Sequence, residues 1–273
     1  MARPRRGRRQ RGRAGQVALV LMLAGLLVAL AGGLTWLLLK ARADYVPRDL
    51  ATLCPKAGYS SQTLVLIDTT DALASVTQTQ VLQKLHDLVA TIPKDGLLEL
   101  RLLKTDAESS PIVLARCNPG DGSDIDPVTG NPQLAKKRWE TEYSQKAEEA
   151  LQTGIVGTEQ DFSPILETIQ RIAAEHLTSA HDRAIPSRLV VISDMIEHTK
   201  AYSHFRDGLS LEAFDRLAKD RLATDLAGAD IEFWLVRRGI ARIDPAELSA
   251  FWLQWAEASN SKRPARLTAL MGM

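Results

Sequence analysis

The sequence predicts an α/β fold of three layers. Helices cover both faces of a doubly wound, mostly parallel sheet with an antiparallel edge hairpin, and a transmembrane helix precedes it. Two apolar runs, Thr63–Ile67 and Leu189–Ile192, lead into aspartates Asp68 and Asp194. Continuous runs of this kind are typical of strands buried on both faces. Segments with helical periodicity lie between them, and residues 14–39 carry no charge.

The uncharged segment predicts a single-pass anchor in the inner (cytoplasmic) membrane. Residues 17–39 would form about 34 Å of helix, which is enough to cross a hydrocarbon core of roughly 30 Å. Seven arginines and no acidic residue precede it in residues 1–13, so the N-terminus is expected in the cytoplasm and the C-terminal domain in the periplasm or outside the cell. A cleaved signal peptide is the alternative, since Ala41-Arg42-Ala43 imitates a cleavage site, but the apolar stretch is longer than a signal requires.

The charge of the remaining chain argues against a nucleic-acid ligand. Removing the seven arginines of the tail from the 34 basic residues of the chain leaves 27, against 33 acidic residues. A mildly acidic body lacks the basic face that phosphate binding requires. We divide the chain into a basic tail (1–13), a transmembrane helix (14–40), a connector (41–62), a globular domain (63–260) and a polar tail (261–273).

Within the domain, the predicted order of elements is β-α-β-β-α-α-β-α-β-α. The short polar stretch 105–110 between the second and third strands allows only an antiparallel hairpin. Ser163 followed by Pro164 has the residue types of a helix N-cap and first helical position. The predicted strands are 63–67, 96–104, 111–117, 188–193 and 231–236, and the predicted helices are 77–92, 134–152, 164–177, 209–226 and 245–258.

Two aspartates follow buried strands and therefore border the expected ligand crevice of an open α/β sheet. Asp68 and Asp194 would meet there with the hydroxyls of Thr70 and Ser163 on neighbouring loops. Mg²⁺ prefers such oxygen ligands and normally keeps several waters. The alternative is that these polar residues only cap helices.

Across residues 60–258 the chain resembles the von Willebrand factor type A (vWA) domain. That family has a strand ending in Asp-x-Ser-x-Ser, a Thr at the start of a middle helix, and an Asp after the fourth strand. Leu64-Val65-Leu66-Ile67-Asp68-Thr69-Thr70-Asp71-Ala72 stands where the first motif would, Ser163 in place of the Thr, and Asp194 in place of the last Asp.

The resemblance implies a metal site made of Asp68, Thr70, Ser163 and Asp194, in which Mg²⁺ accepts a carboxylate from a protein partner. Ala72 departs from the pattern because it offers no oxygen, so Mg²⁺ binding is expected to be weak. The vWA topology also places Cys54, before the first strand, and Cys117, at the end of the third, at the opposite edge of the sheet. It therefore implies a disulfide between them, with two free thiols as the alternative.

The sequence thus predicts a membrane-tethered, vWA-like protein-binding module with an incomplete Mg²⁺ site and no enzymatic activity. One alternative is a structural subunit of an envelope or conjugation-type assembly whose metal site is degenerate. The other is a metal-dependent hydrolase that uses Asp68 and Asp194.

Overall fold

A computed structural model of the chain describes residues 9–43, 46–155, 157, 160–240 and 242–271. Its N-terminal part is one helix, α1 (Arg9–Ala43). An 18-residue window within Gly15–Lys40 has a mean hydropathy of 2.6, and none of that window is buried. By length and composition this helix can cross a membrane.

A second compact unit contains Arg48–Ile125 and Asn131–Met273. Its strands are β1 (Gln62–Asp68), β2 (Leu97–Leu103), β3 (Ile112–Cys117), β4 (Ser187–Ser193), β5 (Asp230–Val236) and β6 (Arg266–Leu270). Its helices are α2 (Ser75–Thr91), α3 (Pro132–Trp139), α4 (Gln145–Gly154), α5 (Ile165–His176), α6 (Ala180–Ala184), α7 (His204–Asp207), α8 (Leu211–Leu217), α9 (Lys219–Leu222) and α10 (Pro245–Ala258). A π-helical turn, Glu140–Ser144, joins α3 to α4.

The six strands form one sheet in the order β3-β2-β1-β4-β5-β6. All neighbouring strands are parallel except β2 and β3, which form the antiparallel edge hairpin. The predicted fold class is therefore confirmed. Strand β1 lies at the centre with all seven residues buried, as its uninterrupted apolar run requires.

Helices bury both faces of this sheet in two hydrophobic clusters. Leu64 and Leu66 of β1 point into one cluster with α5 and α10, where the indoles of Trp252 and Trp255 are fully buried. Val65 and Ile67 point into the other, which α2 and α4 cover. The alternation follows from the two-residue period of a strand, and two covered faces give the three layers.

The disulfide that the resemblance implied is present. Cys54 and Cys117 are bonded across a sequence separation of 63 residues. The same part of the connector is held to the domain by the Cys117 amide, which donates to the Thr52 carbonyl over 2.8 Å, and by an ion pair of Arg48 with Asp95. Residues 48–61 of the expected connector therefore pack as part of the domain.

The expected polar tail, 261–273, contains the sixth strand, so the domain extends beyond its predicted end at residue 260. Strand β6 pairs in parallel with β5, and Leu270 is buried against the core. A five-residue edge strand with polar flanks has too little apolar periodicity to be recognised in a sequence. Its partner β5, which supplies the hydrogen bonds, lies about 30 residues earlier in the chain.

The prediction of a single helix over residues 209–226 is also wrong. The segment forms two short helices, and its first and last residues are not helical. Ser210 caps α8 by accepting the Ala213 amide over 3.1 Å, and α8 ends at Leu217 because the backbone of the next residue, Ala218, leaves the helical region. A second short helix, α9, follows, and residues 223–226 are not helical.

Candidate functional site

Asp68, at the carboxyl end of β1, is the centre of a buried hydrogen-bond network. Its Oδ1 accepts both the backbone amide and the hydroxyl of Thr70, at 2.9 and 2.6 Å. Its Oδ2 accepts the hydroxyls of Ser193, at 2.6 Å, and Ser163, at 3.3 Å. The structure thus brings three of the four proposed site residues together around one carboxylate, and Ser193 joins them.

Strand register explains this convergence. Ile67 of β1 lies opposite Ile192 of β4, so the residues after both reach the same edge of the sheet. Sequence reasoning singled out Asp194 at the end of β4 and passed over Ser193, the last residue of the strand. The predicted parallel pairing could have identified Ser193, because such pairing places the last residues of two adjacent strands side by side.

Ser163 is not the helix N-cap residue that the sequence predicts. Helix α5 begins at Ile165, with Pro164 as its N-cap residue, so Ser163 does not cap the helix. It forms a two-residue bridge with His198, in which each amide donates to the other's carbonyl, at 3.0 and 3.1 Å. This bridge leaves the Ser163 hydroxyl free to donate to Asp68.

The carboxylate that caps α5 is Glu197, which the sequence analysis did not assign. Its Oε2 accepts the Leu166 amide over 2.9 Å and so satisfies one of the free N–H groups at the helix start. Glu197 is completely buried, and burial is the main cause that raises its pKa to about 8. A protonated carboxyl still has an oxygen that can accept this hydrogen bond.

Asp194, the fourth proposed residue, pairs with an arginine. Its Oδ1 accepts the Ile196 amide over 2.9 Å, and its Oδ2 lies 3.2 Å from Nε of Arg238. Burial is the main cause that raises the pKa of Asp194 to about 7. The negative charges of Asp68 and Asp71 raise it further, against the lowering effects of the Ile196 amide and Arg238.

Arg238 connects the loop that follows β1 with the loop that follows β4. It follows β5, the neighbour of β4, and its Nη1 lies 3.2 Å from Oδ1 of Asp71 while its Nε contacts Asp194. Its Nη2 donates to the backbone carbonyl of Ala72 over 3.4 Å. The guanidinium is thus shared between two carboxylates and a carbonyl, an arrangement that its planar set of donors allows.

A cleft of about 300 Å³ lies over these residues. Phe162 stacks on His198 with 5.8 Å between ring centroids, and Phe205 meets the other side of His198 edge-on at 5.5 Å. Phe205 is 47% exposed. The charged side chains that line the cleft are Asp71, Asp161, Asp194 and Arg238.

The donor set fits Mg²⁺ poorly. Ala72 provides no side-chain oxygen, both Asp68 oxygens accept two hydrogen bonds each, and the Arg238 guanidinium already pairs with Asp194 and Asp71. Within the described ranges, no three or more His, Cys, Asp and Glu side chains are grouped so as to hold a metal ion. Weak Mg²⁺ binding stays a prediction from the sequence.

The strand order, the antiparallel third strand and the meeting of Asp68, Thr70 and Ser163 at one edge define the unit as a vWA-like α/β domain preceded by an apolar helix. No protein-family model matches the chain, and no curated protein matches it. The strand order within this chain itself identifies the fold.

Solved structures similar to this chain have low identity and low TM-scores. An aerotolerance-related membrane protein from Bacteroides fragilis, with multiple mutations to serines, has 13% identity and a TM-score of 0.37; the match covers 77% of this chain and 90% of that one. The N-terminal domain of TFIIH p34 has 12% identity and a TM-score of 0.34, with the same coverage. A von Willebrand factor type A protein from Catenulispora acidiphila has 10% identity and a TM-score of 0.35, over 74% of this chain and 42% of that one.

Proposed function

We propose that this chain is a membrane-tethered, vWA-like module that binds another protein through the cleft at the carboxyl edge of its sheet. The observation that carries the proposal is the composition of the cleft: an arginine and several carboxylates beside the half-exposed ring of Phe205. Aromatic side chains and arginine are the residue types that contribute most to protein interfaces. The resemblance to vWA domains adds that the partner presents a carboxylate.

The orientation in the membrane is part of the proposal. Helix α1 is the anchor, and the arginines of residues 1–13 keep the N-terminus in the cytoplasm by the positive-inside rule. The vWA-like unit then lies in the periplasm or outside the cell. The Cys54–Cys117 disulfide supports this compartment, since disulfides persist in oxidising surroundings.

A second candidate is a structural subunit of an envelope or conjugation-type assembly with a degenerate metal site. Ala72 and the Arg238 guanidinium favour it, because the first removes an oxygen ligand and the second pairs with two carboxylates in place of a metal. Partner binding that persists in EDTA supports this candidate, whereas binding that requires Mg²⁺ supports a metal-dependent adhesion site.

The hydrolase hypothesis gains no support from the site. Each oxygen of Asp68 already accepts two hydrogen bonds, so this carboxylate is poorly placed to act as a nucleophile or to bind a catalytic metal directly. Turnover of generic phosphoester substrates by the purified chain is the measurement that would revive it.

Site-specific photo-crosslinking in membranes tests the proposed contact surface. A photoreactive phenylalanine analogue at position 205 should give a discrete crosslinked partner. The same analogue at Leu217, which is 52% exposed on α8 and lies outside the cleft, is the matched control. Phe205→Ala should weaken the affinity for the purified partner at least about tenfold, the loss typical of a buried aromatic contact. Equal crosslinking at both positions, or none at 205, contradicts the proposal.

A further inference from the structure

We propose that Arg238 is a built-in cation of this site, which occupies the place of a metal ion between two of its carboxylates and makes the cleft independent of metal. The part of this inference that concerns a partner rests on the proposed function; the part that concerns the ion does not.

The first support is that the guanidinium lies between the carboxylates that a metal would neutralise. Its Nε and Nη1 contact Asp194 and Asp71, each over 3.2 Å. The third contact, from Nη2, is to the carbonyl of Ala72, the residue that lacks the oxygen of the vWA pattern. An arginine therefore contacts the motif at the point where its metal ligand is missing.

The second support is that Asp68, the remaining carboxylate, is satisfied without a cation. Four hydrogen bonds, from Thr70, Ser163 and Ser193, reach its two oxygens. Hydrogen bonds to an ionised acceptor are stronger than those between neutral groups. The oxygens of Asp68 are therefore satisfied without a metal ligand.

The third support is competition between the two cations. Mg²⁺ loses its water reluctantly and needs near-octahedral oxygen ligands, whereas the guanidinium is part of the chain and already lies among these oxygens. An ion could bind only by displacing Arg238 from a partly buried position, where its side chain is 22% exposed. The two charges repel each other, so the ion and the guanidinium exclude one another.

The fourth support concerns the ligand. Arg238 lines the cleft, so its guanidinium is accessible to a group that enters beside Phe205. Arginine binds carboxylates through paired N–H donors. A partner group that enters the cleft is therefore expected to meet this guanidinium, with no bridging metal.

Metal titration of the full-length protein in detergent tests this directly, with Mg²⁺ alone as the probe. Wild-type protein should show no heat of binding and no shift of melting temperature up to 10 mM Mg²⁺. Arg238→Gln should gain Mg²⁺ binding, at least tenfold tighter than any binding by wild type, because Asp194 and Asp71 lose their cation. Arg237→Gln is the matched control, since its side chain is exposed and the charge change is the same, and it should behave as wild type.

Three results would overturn the inference. The first is a wild-type protein that binds Mg²⁺ at millimolar concentrations and loses this binding in Asp194→Asn. The second is a folded Arg238→Gln variant with no gain in Mg²⁺ binding. The third comes from Arg238→Lys, which retains the charge and should stay insensitive to Mg²⁺; a response as large as that of the glutamine variant shows that charge does not exclude the ion. The wild-type and lysine measurements stand even where Arg238→Gln does not fold.

The part of the inference that concerns a partner protein is tested with the photo-crosslink at position 205. It should persist in EDTA and be lost in Arg238→Gln but not in Arg237→Gln. A crosslink that EDTA abolishes overturns metal independence and leaves the proposed protein-binding function intact. Absence of any crosslink in wild type contradicts the proposed function and leaves the metal titration as the test of Arg238.

Discussion

Replacing Asp68 with alanine should destabilise the vWA-like unit as well as alter its site. The carboxylate is only 7% exposed and accepts four hydrogen bonds, from the Thr70 amide and from the hydroxyls of Thr70, Ser193 and Ser163. Alanine leaves these donors facing a space without an acceptor. The hydroxyls can rotate towards other acceptors, but the amide of Thr70 is fixed by the backbone.

The magnitude follows from these four contacts. A buried donor that loses its partner costs about 1–3 kcal/mol, with larger values where the partner was charged. One fixed donor at the full cost and three rotating donors at a reduced cost, offset by the removal of a buried charge near Asp194, give a loss of about 3 kcal/mol. For a unit of this size, about 3 kcal/mol lowers the melting temperature by roughly 6–12 °C.

Thermal unfolding of the full-length protein in detergent, followed by the fluorescence of the buried Trp252 and Trp255, measures this loss. Asp68→Asn should fall between wild type and alanine, because the amide keeps one acceptor oxygen and the serine hydroxyls can turn to accept from its NH₂ group. Asp220→Ala, on the exposed side of α9, is the control and should melt as wild type does. An unchanged melting temperature in Asp68→Ala would refute the hydrogen-bond account of this residue.

Three further predictions follow from the fold. A reporter fused to the C-terminus should be active only on the non-cytoplasmic side of the membrane, and cytoplasmic activity would contradict the proposed topology. Replacing Cys54 and Cys117 with serine should lower the free energy of unfolding by about 4 kcal/mol on the loop-entropy model, and non-reducing mass spectrometry of wild type should find the joined peptide. The native pKa of Glu197, about 8, lies above its ordinary value of 4.5, so between these values the unfolded chain binds fewer protons and stability falls as pH rises. Glu197→Gln, which still accepts the Leu166 amide, should show a smaller decline in urea unfolding measured from pH 5 to 9, since the raised pKa of Asp194 also contributes to it, and an unchanged pH profile would contradict this.

The ends of the central strands were predictable because their residues are apolar without interruption. The apolar runs before Asp68 and Asp194 suit strands of a parallel sheet whose two faces are both covered by helices. Two neighbouring parallel strands of this kind place the residues that follow them at the same edge of the sheet. Ser193 reaches Asp68 for this reason, whereas Ser163 reaches it from its two-residue bridge with His198.

Arg238 and Glu197 could not be found in the same way. Each contacts its partners through a long side chain from a segment distant in sequence, and its neighbours in the chain give no pattern that separates it from an exposed charge. Glu197 caps a helix that begins about 30 residues before it, and Arg238 pairs with Asp71 across 167 positions. Only the packing of β4 against β1 and β5 determines which charges meet.

The sequence by itself determined the apolar N-terminal helix, the three-layer sheet and the aspartates at its carboxyl edge, because each of these depends on local periodicity or on the end of an apolar run. The tertiary structure decided how the charges at that edge are neutralised, and it added a strand from residues with little pattern of their own. The physical reason is that burial of an apolar face is encoded residue by residue, whereas a buried charge is stabilised by whichever donors the folded chain brings within about 3 Å of it.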